Sequence, residues 1–309
     1  MNELKFQKES NKGNIEESIV KVILFIMALS SIISLGLITF FVFNEGLPFM
    51  ISYGITDFIF GTTWNPSNQV YGIFPMIVGS VIVTILAIVL GAPIGIAVAI
   101  YLVEIAPPRV ARAIKPAIQL LEGIPSVVIG LFGMVVMLNL IRSIARGPLS
   151  EYLPAGYQTG YSVLAGVIIL AIMVLPTIIS ISADSIRAVP HEYKEASLAM
   201  GATKWQTIYR VVVPSAKSGV IAAVVLGVGR AIGETMAIIM VVGNSVQIPI
   251  PGWEAVFAPV RTLTGNIALE MGYAGPEHRQ ALFATGIILF LFIIIINSVT
   301  LVIRRRGTN

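Results

Sequence analysis

The stretch RAVPHEYKEASLAMGATKWQTIYRVVVPSAKSG, Arg187 to Gly219, is a polar, well-punctuated segment between two long apolar runs. Pro190 suits the first turn of a helix, where its missing N–H is not needed, and Gly201 suits the position just past a helix end. The spacing predicts a helix over His191 to Met200, with Glu192 in its first turn, where the helix dipole favours an anion. Thr203 followed by Gln206 is a capping box and predicts a second short helix. Pro214 is expected to keep that helix from running directly into the next apolar segment. Two short helices joined by a glycine bend read either as an ordinary interfacial loop or as a rigid knob for a soluble partner, through which force is transmitted.

The runs on either side set the fold class. Of 309 residues, 56% are hydrophobic and 12% charged, about half the charged fraction of an ordinary globular domain. Mean hydropathy is +0.89. A soluble chain of this length would expose apolar surface it could not cover, so an all-α integral membrane protein is expected. At about 1.5 Å of rise per helical residue, six runs are long enough to be transmembrane helices: 19–43, 73–103, 117–141, 161–183, 218–243 and 281–303. The second carries Pro75, Gly91, Pro93 and Gly95 and is expected to kink or tilt. The organisation that follows is a disordered polar tail over 1–18, an uncleaved first span over 19–43 and an outer connection over 44–72. A core over 73–303 holds the loop 187–217, and a basic tail over 304–309 closes the chain.

The positive residues orient the spans. The start of the chain holds Lys5, Lys8, Lys12 and Lys21, and the connection after the second span holds Arg109, Arg112 and Lys115. The quoted loop holds Arg187, Lys194, Lys204, Arg210 and Lys217, and the end of the chain holds Arg304, Arg305 and Arg306. Against these, the other side holds Arg142, Arg146, Arg261 and Arg279. The positive-inside rule therefore places both termini and the quoted loop in the cytoplasm of a multi-pass protein of the cell membrane. The terminal arginines read as a stop-transfer signal and lipid-headgroup anchor. Trp64, Trp205 and Trp253 fall in connections, as interfacial anchoring prefers.

Within the fifth run, GRAIGETMA (Gly229–Ala237) puts Arg230 near mid-span and Glu234 four residues on, on the same helical face. A central arginine costs about 2.5–3.5 kcal/mol on insertion scales, so it is expected to face a bundle interior or wet cavity with a partner. Two small-residue stripes, Ala223, Gly227, Ala231 and Gly229, Gly233, Ala237, would admit neighbouring helices. The pair reads either as a structural ion pair or as an anion-pathway arginine whose affinity Glu234 moderates. Glu122 reads as an interfacial, solvated carboxylate, and Pro125, Gly130 and Gly133 as helix-shaping residues. The connection 244–280 carries a helix-like piece over 260–271, as an outer gate, a partner contact or a plain cap.

The loop then supports a resemblance. EASLAMGATKWQTIYRVVVP, Glu195 to Pro214, resembles the EAA loop of ABC-importer permeases: Glu195, Ala196, Gly201, Val211, Val213 and Pro214 fall at matching places, with Ser197 for the second alanine. Three further stretches, Thr63–Ser80, Gly123–Gly133 and Gly229–Asn244, resemble the phosphate permeases of the PstC type. The resemblance covers about residues 60 to 300. It implies the type I ABC-importer permease fold and docking of the loop on a cytoplasmic ATP-binding subunit dimer of the PstB type. It also implies a second permease of the PstA type, an extracytoplasmic phosphate-binding protein of the PstS type, and a transport role for Arg230 and Glu234. Phosphate suits Arg230, whose planar fork can give one oxyanion two hydrogen bonds; a nearby carboxylate would let the anion leave. Another oxyanion, sulfate or molybdate, is the alternative substrate.

Other classes fare poorly. There is no G-x-x-x-x-G-K-[ST] loop, so the chain is not expected to be an enzyme and ATP must be hydrolysed by a partner. The absence of cysteine removes thiolate catalysis and cysteine-ligated metals. His191 and His278 fall in or beside connections on opposite sides, and no H-E-x-x-H or G-x-S-x-G occurs. No cofactor, metal or nucleic acid is expected.

Overall fold

The computed structural model describes residues 2–306. Helix α1 (Asn2–Tyr53) is followed by α2 (Ile55–Phe60), a two-stranded hairpin of β1 (Trp64–Asn65) and β2 (Val70–Tyr71), and α3 (Phe74–Ile100), which ends in a π turn at Tyr101–Ile105. Then come α4 (Pro108–Gly123), α5 (Ser126–Phe132), a π turn at Gly133–Met137, α6 (Leu138–Arg146) and α7 (Val163–Arg187). The loop contributes α8 (His191–Ala199), α9 (Lys204–Thr207), a π turn at Ile208–Val212 and α10 (Val213–Ser215). The rest is α11 (Lys217–Gly233), α12 (Met236–Val241), α13 (Leu263–Glu270) and α14 (Pro276–Arg306). Among the described residues five helices are long and apolar enough to cross a membrane, or six when α9–α10 and α11 count as one bent span. The polar head expected as a tail is helical from Asn2, in keeping with its Lys- and Glu-rich composition and the Glu17–Lys21 ion pair one turn apart. Met1 and the last residues of the basic tail, 307–309, lie outside the described residues.

Helix α7 is the axis of the bundle: 61% of its most apolar window is buried, against none for α1. Ser162 caps it, accepting from the Ala165 N–H at 3.2 Å. Its faces pack on α3, α5 and α11 through Val83, Ala87, Ile129, Ile169, Val174 and Ile178. Small residues set these approaches, since Gly91 and Gly95 of α3 and Gly227 of α11 all abut Val174 or Ile178. Peripheral α1 is held to α14 by edge-on ring pairs, Phe41 with Phe283 at 5.5 Å and Phe43 with Phe290 at 6.1 Å.

Two spans are broken at one level of the bundle. Between α4 and α5, Ile124 and Pro125 are extended, because a proline disfavours helix in the residue before it. Lys115 lies beside Ala183, Glu122 reaches Thr177, and Gly133 meets Ile169, so residues 108–146 run antiparallel to α7 as one interrupted course. The fifth run, expected to be continuous over 218–243, is interrupted in the same way. Helix α11 stops at Gly233, Glu234 is extended, and α12 starts at Met236. The broken spans meet where Gly130 faces Ala237: a Cβ on Gly130 would lie 2.9 Å from the Ala237 Cα. Gly130→Val should therefore destabilise the protein by about 1–3 kcal/mol through overpacking. Thermal unfolding of the purified protein checks this, and an unchanged midpoint would count against the close approach.

At the bundle end away from the α8–α9 loop, a second core joins the hairpin to the C-terminal end of α1 and the start of α14. Phe49, Phe58, Trp64, Tyr71, Ile73 and Leu282 are all buried there. Trp64, expected at a membrane interface, is instead inside this core, 5% exposed. Its indole N–H is satisfied by Glu270, which removes the reason for a tryptophan to stay at a wet surface. A third core at the loop end, with Leu102, Ile179, Ile186 and Val212, fixes the α9–α10 arm to α3 and α7.

Candidate functional site

Arg230 lies one turn before the end of α11, at the level of the breaks. Its Nη1 donates to the Thr177 hydroxyl at 2.9 Å and to Glu122 Oε1 at 3.3 Å. The side chains of Arg230 and Glu122 are 32% and 45% exposed. Glu234 is not its partner. The helix ends at Gly233, so the four-residue spacing no longer puts both side chains on one face, and the Glu234 carboxylate turns to accept the Ala237 N–H at 3.1 Å. It thereby caps α12, where an anion suits the exposed amides of a helix start. Glu122, expected to be merely solvated, supplies the counter-charge from α4. The two glycine stripes also part company. Ala223, Gly227 and Ala231 are buried in the bundle, whereas beyond their chain neighbours and helix backbone no described atom lies within 4 Å of where a Cβ on Gly229 or Gly233 would sit.

The loop folds as two joined arms. Helix α8 ends beside Gly201, whose φ of +85° is the left-handed conformation that closes a helix cheaply only in glycine. The capping box forms in both directions, with Gln206 N–H to Thr203 Oγ1 at 3.2 Å and Thr203 N–H to Gln206 Oε1 at 2.9 Å. The Ser197 and Thr207 hydroxyls are 2.9 Å apart and tie the arms together. Pro214 does not end the second arm. The π turn at Ile208–Val212 lifts the Arg210 carbonyl out of the regular ladder and relieves the proline clash, and the chain instead bends by 67° into α11, at Ala216. Of the matching residues, Glu195, Ala196 and Pro214 are exposed and Val211 and Val213 half-buried, around a fully buried Val212. Tyr193, Leu198, Met200, Trp205 and Tyr209 are all exposed on the same loop. Lys194 Nζ meets Glu104 Oε1 at 2.5 Å, largely buried, and anchors α8 to the end of α3.

A third constellation carries no local motif. Glu270, 6% exposed, accepts from the Trp64 indole at 2.8 Å and from Arg261 at 2.5 Å, and its Oε2 lies 2.8 Å from His278 Nε2. Arg261 also donates to Asn266 at 3.0 Å and to the Asn244 carbonyl at 2.9 Å. This network binds the hairpin, the segment before α13 and the start of α14 into one unit. Beside it opens a cavity of about 500 Å³ lined by Gln69, Tyr71, Glu270, Tyr273, Glu277 and His278. Burial, with the Glu277 charge adding to it, pushes the Tyr71 hydroxyl up. Burial and then Glu270 do the same at Tyr273, so both remain neutral phenols at working pH.

Three kinds of comparison bear on this arrangement. Residues 91–308 match the family model described as binding-protein-dependent transport system inner membrane component. A probable ABC transporter permease protein, YqgH, of Bacillus subtilis is 42% identical over 84% of this chain and 82% of its own length. The phosphate transport system permease protein PstC of Pasteurella multocida is 34% identical over 79% of this chain and 78% of its own length. Among solved structures, a chain of the MetNI methionine ABC transporter in inward-facing form aligns over 80% of this chain and 100% of its own, at TM-score 0.58 and 20% identity. A chain of a bacterial alginate ABC transporter aligns over 91% and 95%, at TM-score 0.59 and 16% identity. At such identities the structural likeness speaks for the fold, which is the type I ABC-importer permease fold. With the matched model spanning residues 91–308, the chain belongs to the family of binding-protein-dependent transport system inner membrane components, as a multi-pass, non-enzymatic membrane subunit.

Proposed function

We propose that this chain is the permease subunit of an ATP-driven importer of inorganic phosphate, moving the anion by alternating access while a partner hydrolyses ATP. The observation that carries the reading is Arg230, a guanidinium on a broken span, part-exposed and bonded among the described residues through Nη1 alone. Its remaining N–H groups form a planar fork suited to an oxyanion. Relatives at 34–35% identity that are named phosphate transport permeases favour phosphate over other oxyanions. Glu234, which caps the half-helix after the break, belongs to the same pathway by keeping that break in place. The distribution of Lys and Arg favours a cytoplasmic location for both termini and the α8–α9 loop.

The partners follow from the same reading. Glu195, Ala196, Gly201, Val211, Val213 and Pro214 belong to the loop that seats on an ATP-binding subunit of the PstB type, while the buried Val212 holds its return arm to the bundle. A PstA-type permease completes the pathway, and a PstS-type protein delivers phosphate from outside. Uptake of radiolabelled phosphate by the reconstituted transporter tests the function. Uptake should require ATP and binding protein and should survive excess sulfate or molybdate. Equal suppression by those anions would shift the reading to a general oxyanion importer, and absence of uptake would sink it.

Coupling gives a further test. Lys194 and Glu104 join the docking helix to α3 through a largely buried pair. Lys194→Met leaves a buried carboxylate unpaired, an imbalance of about 3–5 kcal/mol. The phosphate moved per ATP hydrolysed should fall about tenfold, and the double variant Lys194→Met/Glu104→Leu should recover part of it. A single variant with normal coupling would exclude a role for this strut.

A further inference from the structure

We infer that Glu122 is a built-in counter-anion at Arg230, a positioning residue that an incoming phosphate displaces and that then drives its release. The inference rests on Arg230 being a pathway residue. Three features of the geometry carry it. Glu122 is the one acid paired with Arg230 among the described residues, because the Glu234 carboxylate is engaged by the Ala237 N–H. The contact is loose: 3.3 Å is long for a charge-assisted bond, which normally falls near 2.7–2.9 Å. Thr177 takes the same Nη1 at 2.9 Å and lies 3.5 Å from Glu122 Oε1, so the hydroxyl steadies the guanidinium when the carboxylate moves.

The chemistry follows from what each group offers. An ionised carboxylate only accepts hydrogen bonds, as does the oxyanion face that would meet Arg230, so the two compete for one donor set. While Nη1 holds Glu122, Nε and Nη2 give no hydrogen bond to any described residue and form the edge that phosphate would approach. A phosphate that enters at this edge and takes over Nη1 pushes the Glu122 carboxylate aside but leaves it close by, and that like charge, competing for the same donors, weakens its retention. Glu122 stands at the end of α4, next to Gly123 and the Ile124–Pro125 break. Glu122 is 45% exposed, and beyond the adjoining residues and helix backbone no described atom lies within 4 Å of where a Cβ on Gly123 would sit, so the carboxylate has room to swing away.

The test uses the whole purified transporter and radiolabelled inorganic phosphate, measured both as equilibrium binding without binding protein and as turnover in vesicles. Glu122→Gln keeps the shape and removes the charge. Binding should tighten by about tenfold or more while turnover falls by a similar factor, the scale of one part-exposed charge interaction. Glu122→Asp, with the charge kept and the reach shortened, should move both quantities the same way but less. A merely structural acid would weaken both together, and that result, or no change in either, overturns the inference. Arg230→Gln is the control: if it loses phosphate binding while Glu122→Gln behaves as wild type, only this inference falls. If Arg230→Gln also binds normally, the pathway reading falls with it.

Discussion

Arg230→Leu should lower phosphate uptake by at least about a hundredfold, equivalent to about 2.7 kcal/mol, while the subunits still co-purify. The magnitude follows from the donors removed: each hydrogen bond from a charged group is worth about 1.5–3 kcal/mol, and a fork offers two to one oxyanion. Leucine is chosen because it separates transport from packing. Arg230 ties α11 to α4 and α7 through Glu122 and Thr177. If that tie were only structural, the replacement would cost little, since the Arg230–Glu122 pair is part-exposed and Glu122 stays solvated without its partner. Arg230→Lys should fall between, because an ammonium keeps the charge and loses the planar fork. Normal uptake by an assembled Arg230→Leu transporter would remove this residue from the pathway.

Much of this arrangement was legible in the sequence, and the parts that were not share one cause. Apolar runs near 20 residues and the Thr203–Gln206 box are local signals: helices cover the first, second, fourth and sixth runs, and the doubled cap forms where it is predicted, while the third and fifth runs are interrupted. The pairing of Arg230 with Glu234 rested on an unbroken helix, yet Gly233 and the extended Glu234 end it first. Its actual partner is 108 residues away, and no spacing rule reaches that far. The nearest hint was Pro125, which predicts an interruption of the third span close to Glu122. The Glu270 network was missed for the same reason, as Trp64 lies 206 residues from it. A signal did exist there. In a chain that keeps its cations on one side, Arg261 stands among the few on the other and near an acid, which marks a pair to be sought.

That network gives the second large effect, on stability. Glu270→Ala should destabilise the protein by about 3–5 kcal/mol, the usual result of removing one partner from a buried charge pair. The loss exceeds that of one hydrogen bond because three donors converge on this carboxylate: Trp64, Arg261 and His278. Arg261, whose side chain is 16% exposed, would be left charged with, among the described residues, Asn266 and the Asn244 carbonyl as acceptors. The damage should also be regional. Trp64 packs against Tyr71 at a ring distance of 5.5 Å, so release of its indole loosens the hairpin before it reaches α7. Trp64 fluorescence and protease cleavage near residues 64–71 should therefore report opening ahead of global unfolding. Glu270→Gln, which keeps an acceptor and loses the charge, should cost about half as much. Full stability in Glu270→Ala would mean that the hairpin core, not the polar network, holds this end of the molecule.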